Sequence, residues 1–122
     1  MNREYSQEEI RALADKNWTE AKFQDQVIEF AHLHGWKVAH FRRVRIQRAN
    51  GSCYYQTPVQ ADGAGFVDLL LCRDRVVYME LKKPGGRLEP EQKLWRDILK
   101  AAGAEWYCFK PADWEELARV LS

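Results

Sequence analysis

The sequence predicts an α/β domain in which a small mixed β-sheet is flanked by helices. Apolar residues recur at helical spacing over residues 20–34, and a second helical pattern follows at residues 90–102. Between them lie two short apolar runs of strand length, residues 66–72 and 76–82, and another strand pattern follows at residues 105–110. A chain of 122 residues is long enough to bury a core, so we expect one main domain.

Capping residues, glycines and prolines mark the ends of the predicted helices. They predict helices over residues 6–16, 20–34, 90–102 and 111–121. The residues that carry these signals are Ser6 with Glu9, Thr19, Gly35, Pro90, Gly103, Pro111 and Asp113.

The segment between the second and third helices begins with residues 36–47, which predict a strand or one arm of a hairpin. Residues 49–65 are rich in turn residues and predict a loop. Within that loop, Tyr54 and Tyr55 are candidates for stacking on exposed bases.

The composition argues against several classes of protein. The formal net charge is only +1, so the chain as a whole is not a strongly basic nucleic-acid binder. Its three cysteines are far apart and include no C-x-x-C pair, which argues against a structural zinc site or a disulfide framework. No apolar leader or membrane-spanning run occurs, so we expect a cytoplasmic protein without a membrane partner.

Positive charge is concentrated in one basic segment, residues 37–48, which contains no acidic residue. Such a segment favours contact with the phosphates of nucleic acid, which carries no sequence information and weakens with salt. For the histidine in this segment, packing is an equal alternative. The candidate DNA-binding residues are Lys37, His40, Arg42, Arg43, Arg45 and Arg48.

Two carboxylates, Asp68 and Glu80, lie inside the two apolar runs. A hairpin centred on Asp74 places them directly opposite each other, because each is six residues from the centre. Alternation then puts Asp68, Glu80 and Lys82 on one face of the hairpin. The other face is wholly apolar and predicts the core, with Val67, Leu69, Leu71, Val77, Met79 and Leu81.

Opposed carboxylates on neighbouring strands repel each other, since their Cβ atoms are only about 4.5–5.5 Å apart. A divalent cation with oxygen ligands would remove this repulsion, and Mg²⁺ is commonly held by one or two carboxylates. Lys82 would then act on a phosphate or on a water molecule. The alternative is a solvated strand face with an ordinary contact between Glu80 and Lys82.

An aspartate followed by Glu-x-Lys on a two-stranded turn resembles the active-site pattern of the PD-(D/E)XK nuclease superfamily. The chain is similar in particular to the VRR-NUC domain, above all to the stand-alone versions carried by phages. The similarity begins at Thr19 and rests on TEAKFQDQVIEFAHLHGWKVAHFR, GFVDLLL and YMELKKPGGRLEPEQKLWRDILKAAGAEWYCFKPADWEEL. It implies a restriction-endonuclease-like core over residues 19–122, preceded by an N-terminal helical extension over residues 1–18.

The resemblance implies that Asp68 and Glu80 bind the metal ion and that Lys82 is the catalytic lysine. Our hypothesis adds the backbone carbonyl of Leu81 as a third metal ligand. The expected cofactor is Mg²⁺ or Mn²⁺, and no small-molecule cofactor is expected.

Glu20 and Gln92 match two further positions of the family. Glu20 would bind a second ion or orient a water molecule, although an acid in the first turn of a helix is also favoured by the helix dipole. Gln92 would position the lysine or the substrate, although capping of its own helix is a competing role. The chain departs from the family at Val67, where proline is usual, and at Glu89, where serine is usual.

These expectations define a metal-dependent endodeoxyribonuclease that is selective for branched DNA such as a Holliday junction. Paired cuts at a junction favour a two-fold homodimer. One alternative is a restriction-type or replication-type nuclease that acts on linear or flapped DNA. Another is a DNA-binding module that has lost catalysis.

Overall fold

The computed structural model describes residues 19–41, 44–56 and 60–122. The predicted extension over residues 1–18, with its helix at residues 6–16, lies outside the described residues.

The described residues form three helices, six strands and one short 3₁₀ turn. No helix within the described ranges is long and apolar enough to cross a bilayer. In chain order the elements are α1 (Glu20–Leu33), β1 (Lys37–His40), β2 (Val44–Gln47), β3 (Cys53–Gln56), β4 (Leu69–Cys72), β5 (Val76–Leu81), α2 (Pro90–Ala101), β6 (Glu105–Phe109), the 3₁₀ turn (Pro111–Asp113) and α3 (Trp114–Leu121).

Four of the strands form one mixed sheet in the order β1-β4-β5-β6. The β1–β4 and β4–β5 pairs are antiparallel, whereas β5 and β6 are parallel and are connected through α2. The β4–β5 hairpin pairs Leu69 with Met79 and Cys72 with Val76, so its centre is Asp74, as predicted. The α/β class and the small mixed sheet are therefore confirmed.

The core lies on one face of this sheet, beneath α1 and α3. The five β4 and β5 residues predicted to face it are fully buried, and each contributes roughly 1.5–3 kcal/mol through burial. Thr19 caps α1 by accepting a 3.2 Å hydrogen bond from the backbone N–H of Lys22. The core consists of Phe23, Val27, Ala31, Trp36, Leu69, Leu71, Val77, Met79, Leu81, Phe109, Leu117 and Leu121.

α2 covers part of the opposite face. Its inward residues include Gln92 and Leu99, which are buried, and Trp95, whose ring packs edge-on against Phe66. The Trp95 indole N–H donates to the carbonyls of Asp62 and Ala64, which fixes the incoming loop against the helix. The first turn of α2 therefore lies directly above the polar face of the hairpin.

The prediction of a continuous loop over residues 49–65 is wrong at Cys53–Gln56, which forms β3. This strand runs antiparallel to β2 in a separate two-stranded sheet. The reversal between them depends on Asn50, whose side chain accepts hydrogen bonds from the N–H and hydroxyl of Ser52 at 3.0 and 2.6 Å. Gly51 supplies the positive φ of 88° that the turn requires. Turn residues on both sides of a four-residue strand concealed it in the sequence.

The β4–β5 turn contacts Trp36, which follows α1, and the C-terminal end of α3. The guanidinium groups of Arg73 and Arg75 lie over the ring of Trp36, 4.5 and 5.1 Å from its centroid. Arg75 also donates to the carbonyl of Val120, and the Trp36 indole donates to that of Leu121 at 2.8 Å. These bonds satisfy carbonyl groups that the end of α3 leaves without helical partners.

Candidate active site

Asp68 and Glu80 meet at the open end of the β4–β5 hairpin. Continuing the observed register by one residue beyond Leu69 and Met79 places Asp68 opposite Glu80. Oδ2 of Asp68 accepts a 2.8 Å hydrogen bond from the backbone N–H of Leu81. The Asp68 carboxylate thus accepts the hydrogen bond that a backbone carbonyl of β4 would accept if the strand pairing continued. This hydrogen bond fixes the orientation of the Asp68 side chain.

Glu80 is the most deeply buried carboxylate of the site, with a relative exposure of 1%. Burial, together with its hydrogen bond to Asp68 and the negative charge there, raises the pKa of Glu80 well above the ordinary range. The charge of Lys82 opposes this increase. Burial and the neighbouring Asp68 therefore favour the protonated form of Glu80 when no cation is bound.

Lys82 lies on the same hairpin face and is also buried, at 7% exposure. On the other side of Glu80, the parallel strand β6 places Cys108 directly beside it. Burial raises the pKa of the Cys108 thiol to about 11, with a smaller contribution from Glu80. Cys108 is therefore an uncharged thiol that lines the site. Lys82 is thus a buried basic residue whose charge acts on Glu80.

Glu20 is the first residue of α1 and is half-buried. Its negative charge contributes to the raised pKa of Glu80, as the smallest of the causes. Within the part of the chain that the structure describes, no three His, Cys, Asp or Glu side chains form a cluster with metal-binding geometry.

Gln92 makes the predicted capping contact and a second contact, with Glu80. Its Oε1 accepts a 2.8 Å hydrogen bond from the backbone N–H of Glu89, which caps α2. Its Nε2 donates a 2.9 Å hydrogen bond to Oε1 of Glu80. One buried amide therefore both begins the helix and binds the carboxylate.

The oxygen ligands at this site fit a divalent cation of the Mg²⁺ or Mn²⁺ type. Both ions prefer carboxylate and carbonyl oxygens. A bound cation would offset the burial and the repulsion by Asp68, which together raise the pKa of Glu80. The N–H of Leu81 points towards Asp68, and the N–H and C=O of a strand residue point to the same side. The Leu81 carbonyl therefore faces the edge where the two carboxylates lie.

Two residues of the basic segment, Lys37 and His40, lie on opposite faces of β1. Lys37 pairs with Cys72, at the far end of β4 from Asp68, and alternation puts His40 on the opposite face from Lys37. Nε2 of His40 is 3.0 Å from Oε1 of Gln24 on α1.

Among the other predicted DNA-binding residues, Arg48 directly follows β2. The guanidinium of Arg48 stacks over the Tyr54 ring, 4.5 Å from its centroid. Arg42 and Arg43, and the side chains of Arg45 and Tyr55, lie outside the described residues.

A group of aromatic rings beside the carboxylates was not recognised in the sequence. Phe66 makes edge-to-face contacts with Phe41, Tyr78 and Trp95, with ring centroids 5.4, 6.1 and 4.9 Å away. The only local signal was spacing, since Phe66 precedes Asp68 by two residues and Tyr78 precedes Glu80 by two.

Comparison of the chain with protein-family models, curated proteins and solved structures found no match.

Proposed function

We propose that this protein is a metal-dependent endonuclease that hydrolyses phosphodiester bonds in DNA. The observation that carries the proposal is the position of Asp68 directly opposite the buried Glu80, on the same hairpin face as the buried Lys82. Placing a half-buried carboxylate opposite a buried one is unfavourable for the fold alone, because a buried charge without a partner of opposite sign costs several kcal/mol and the like charge of Asp68 adds to that cost. A bound cation would neutralise the two carboxylates, and an anionic substrate would then bind to the cation and to Lys82.

Asp68, Glu80 and the Leu81 carbonyl would hold one Mg²⁺ or Mn²⁺ ion. When bound, such an ion lowers the pKa of a coordinated water and neutralises charge on a phosphate. Gln92 keeps Glu80 in position through its 2.9 Å hydrogen bond. Glu20, at the start of α1, would orient water or bind a second ion.

Lys82 would supply positive charge to the reacting phosphate or to the attacking water. An ammonium group presents three donors on a flexible stem, and in a buried position its charge is poorly screened. Its neighbour Lys83 is exposed and provides a matched control at the next position in the chain.

DNA as the substrate is supported by the resemblance to the VRR-NUC domain and by the basic segment. The same resemblance favours branched DNA, including Holliday junctions, and a two-fold homodimer able to make paired cuts. Restriction-type or replication-type activity differs in preferring linear or flapped DNA. Light scattering of the purified protein measures the oligomeric state directly.

The proposal is tested by incubating the protein with Mg²⁺ or Mn²⁺ and labelled DNA. Four substrates of the same sequence should be compared, namely a four-way junction, a flap, a single strand and a linear duplex. Asp68→Asn and Lys82→Met should reduce cleavage at least a hundredfold while leaving the fold intact. Asp97→Asn and Lys83→Ala, which change an exposed carboxylate and an exposed lysine, should retain activity.

Three results would contradict the proposal. One is no cleavage of any substrate with either metal, the second is undiminished cleavage by Asp68→Asn, and the third is equal losses in the variants and their controls. DNA binding that persists without cleavage and without Mn²⁺ binding would instead identify a binding module.

A further inference from the structure

An exposed aromatic ring lies directly beside the carboxylate pair. The β1–β4 register, which pairs His40 with Leu69, continues by one residue, because the N–H of Phe41 donates a 2.9 Å hydrogen bond to the carbonyl of Asp68. Opposed residues of an antiparallel pair have their side chains on the same face. Phe41 therefore shares a sheet face with Asp68, and 38% of it is exposed.

Other aromatic side chains pack against the Phe41 ring on one side. Phe66 contacts it edge-on, with ring centroids 5.4 Å apart, and Phe66 is itself wedged against Tyr78 and Trp95. Trp95 is fixed by hydrogen bonds to the carbonyls of Asp62 and Ala64, both 3.1 Å. A rigid ring loses little conformational entropy when a flat ligand stacks on its exposed side.

We propose that Phe41 is a stacking platform for the base of a nucleotide next to the cleaved phosphodiester. The inference rests on the proposed nuclease function and narrows its substrates to DNA with an unpaired nucleotide at the cut, such as a flap. The base of such a nucleotide is free to leave its neighbours and stack on an aromatic side chain, whereas a base inside a duplex is already stacked.

The position of Phe41 distinguishes it from an ordinary exposed apolar residue. Val76 provides the comparison, since it lies on the same sheet face and is 45% exposed. However, it is four residues from Glu80 along β5, or about 13 Å. Val76 also opposes Cys72 at the closed end of the hairpin, whereas Phe41 opposes the carboxylate itself.

The test begins by mapping the cut made by the wild-type protein in a flap or a gapped duplex. An abasic site is then introduced at the unpaired nucleotide next to the cut. Wild-type protein should cut the abasic substrate roughly ten- to a hundredfold more slowly than the normal substrate, because stacking on the base is lost. Phe41→Leu should cut both at the same slow rate, Phe41→Trp should restore the difference, and Val76→Ala should behave as wild type.

A second readout does not depend on cleavage. 2-Aminopurine placed at the same nucleotide should change in fluorescence when the Asp68→Asn protein binds, because the base leaves its neighbours, and the added substitution Phe41→Leu should abolish the change. Thermal unfolding of each variant verifies that it is folded.

The outcomes separate the two proposals. If the wild type cuts DNA but Phe41→Leu keeps the preference for a base over an abasic site, the stacking role is wrong and the nuclease function stands. If the wild type cuts no DNA with either metal, the nuclease proposal fails, and the stacking role fails with it.

Discussion

Gln92 donates a 2.9 Å hydrogen bond to Glu80 and so connects the first turn of α2 to the buried carboxylate. The same amide accepts from the backbone N–H of Glu89 at 2.8 Å, and both bonds are largely sheltered from water. Since the two hydrogen bonds share one side chain, the start of the helix and the position of Glu80 are coupled. Substitutions at Gln92 can separate these two contributions.

Gln92→Ala removes both hydrogen bonds and should lower the free energy of unfolding by about 1–2 kcal/mol at any pH between 5 and 8. Gln92→Glu keeps an oxygen that accepts from the N–H of Glu89, but it adds a carboxylate beside Glu80. Without metal, this variant should be destabilised at pH 8 and recover at pH 5, where the new carboxyl group can take up a proton. Denaturant unfolding at the two pH values measures the difference.

If Gln92→Glu were as stable as the wild type at both pH values without metal, the helix cap alone would account for the contribution of Gln92 to stability. The contact with Glu80 would then contribute nothing to the folded state.

The raised pKa of Glu80 predicts a pH dependence of stability in metal-free protein. The proton is bound more tightly in the folded chain than in the unfolded chain, where the pKa is 4.5. The resulting stabilisation is complete below pH 4.5 and is lost as the pH rises towards the folded-state value. Glu80→Gln carries no titrating proton, so relative to wild type it should gain roughly 1–3 kcal/mol between pH 5 and pH 8.

The measurement is denaturant unfolding in EDTA at several pH values, with Asp97→Asn as the control. Arg96 lowers the pKa of the exposed Asp97 carboxyl, so this control should add no slope between pH 5 and pH 8. Adding Mn²⁺ should stabilise the wild type at pH 8 and leave Glu80→Gln nearly unchanged. If the free energy of unfolding changed with pH equally in the wild type and in Glu80→Gln, Glu80 would not be held in its protonated form.

The β4–β5 hairpin was predictable because its signals are local. A turn at Asp74 and a side-chain period of two are enough to oppose Asp68 and Glu80 and to separate the apolar face from the polar one. Phe41 was not predictable in the same way. Its position opposite Asp68 depends on the register between β1 and β4, strands that are about thirty residues apart, and no local pattern determines that register.

The two roles of Gln92 illustrate a related limit. Its position three residues after Glu89 indicated a cap, and the family resemblance indicated a site residue. Only the three-dimensional arrangement of α2 over β5 shows that both hydrogen bonds form together. β3 was missed for the opposite reason, since the turn residues around it were a stronger local signal than its four strand residues.

Gly65 should tolerate no side chain, because it lies against the backbone of α2. Its φ is +78°, and a methyl group there would lie 2.5 Å from Cβ of Glu91 and 2.8 Å from the backbone nitrogen of Gln92. Gly65→Ala should therefore lower the free energy of unfolding by about 3 kcal/mol or more and displace the helix start from the site.

Gly103→Ala is the matched control for Gly65→Ala. Gly103 has a similar φ of +84°, but in the described part of the chain no atom other than those of Gly103 and its chain neighbours lies within 4 Å of the added methyl position. Backbone strain alone should cost about 1–2 kcal/mol there. Equal losses in the two variants, measured by urea unfolding, would show that Gly65 is required for its backbone conformation and not for its contact with α2.

Arg75 joins the β4–β5 turn to β6 and α3, so Arg75→Lys should destabilise the fold without affecting the site. Its guanidinium donates to both carboxylate oxygens of Glu105, at 3.0 and 3.2 Å, and to the carbonyl of Val120, while lying over Trp36. A lysine cannot make these contacts together, because its ammonium is not planar and presents no fork of donors. We expect a loss of about 1–2 kcal/mol in the free energy of unfolding.

Arg96→Lys provides the control for Arg75→Lys, since Arg96 pairs with Asp97 at 2.8 Å on the exposed surface of α2. Exposed pairs of this kind contribute little, so its melting temperature should barely change. DNA cleavage per folded molecule should be normal in both variants, because Arg75 lies at the closed end of the hairpin and Asp68 at the open end. A loss of activity in folded Arg75→Lys protein would mean that the closed end of the hairpin controls the carboxylates through the strands that connect them.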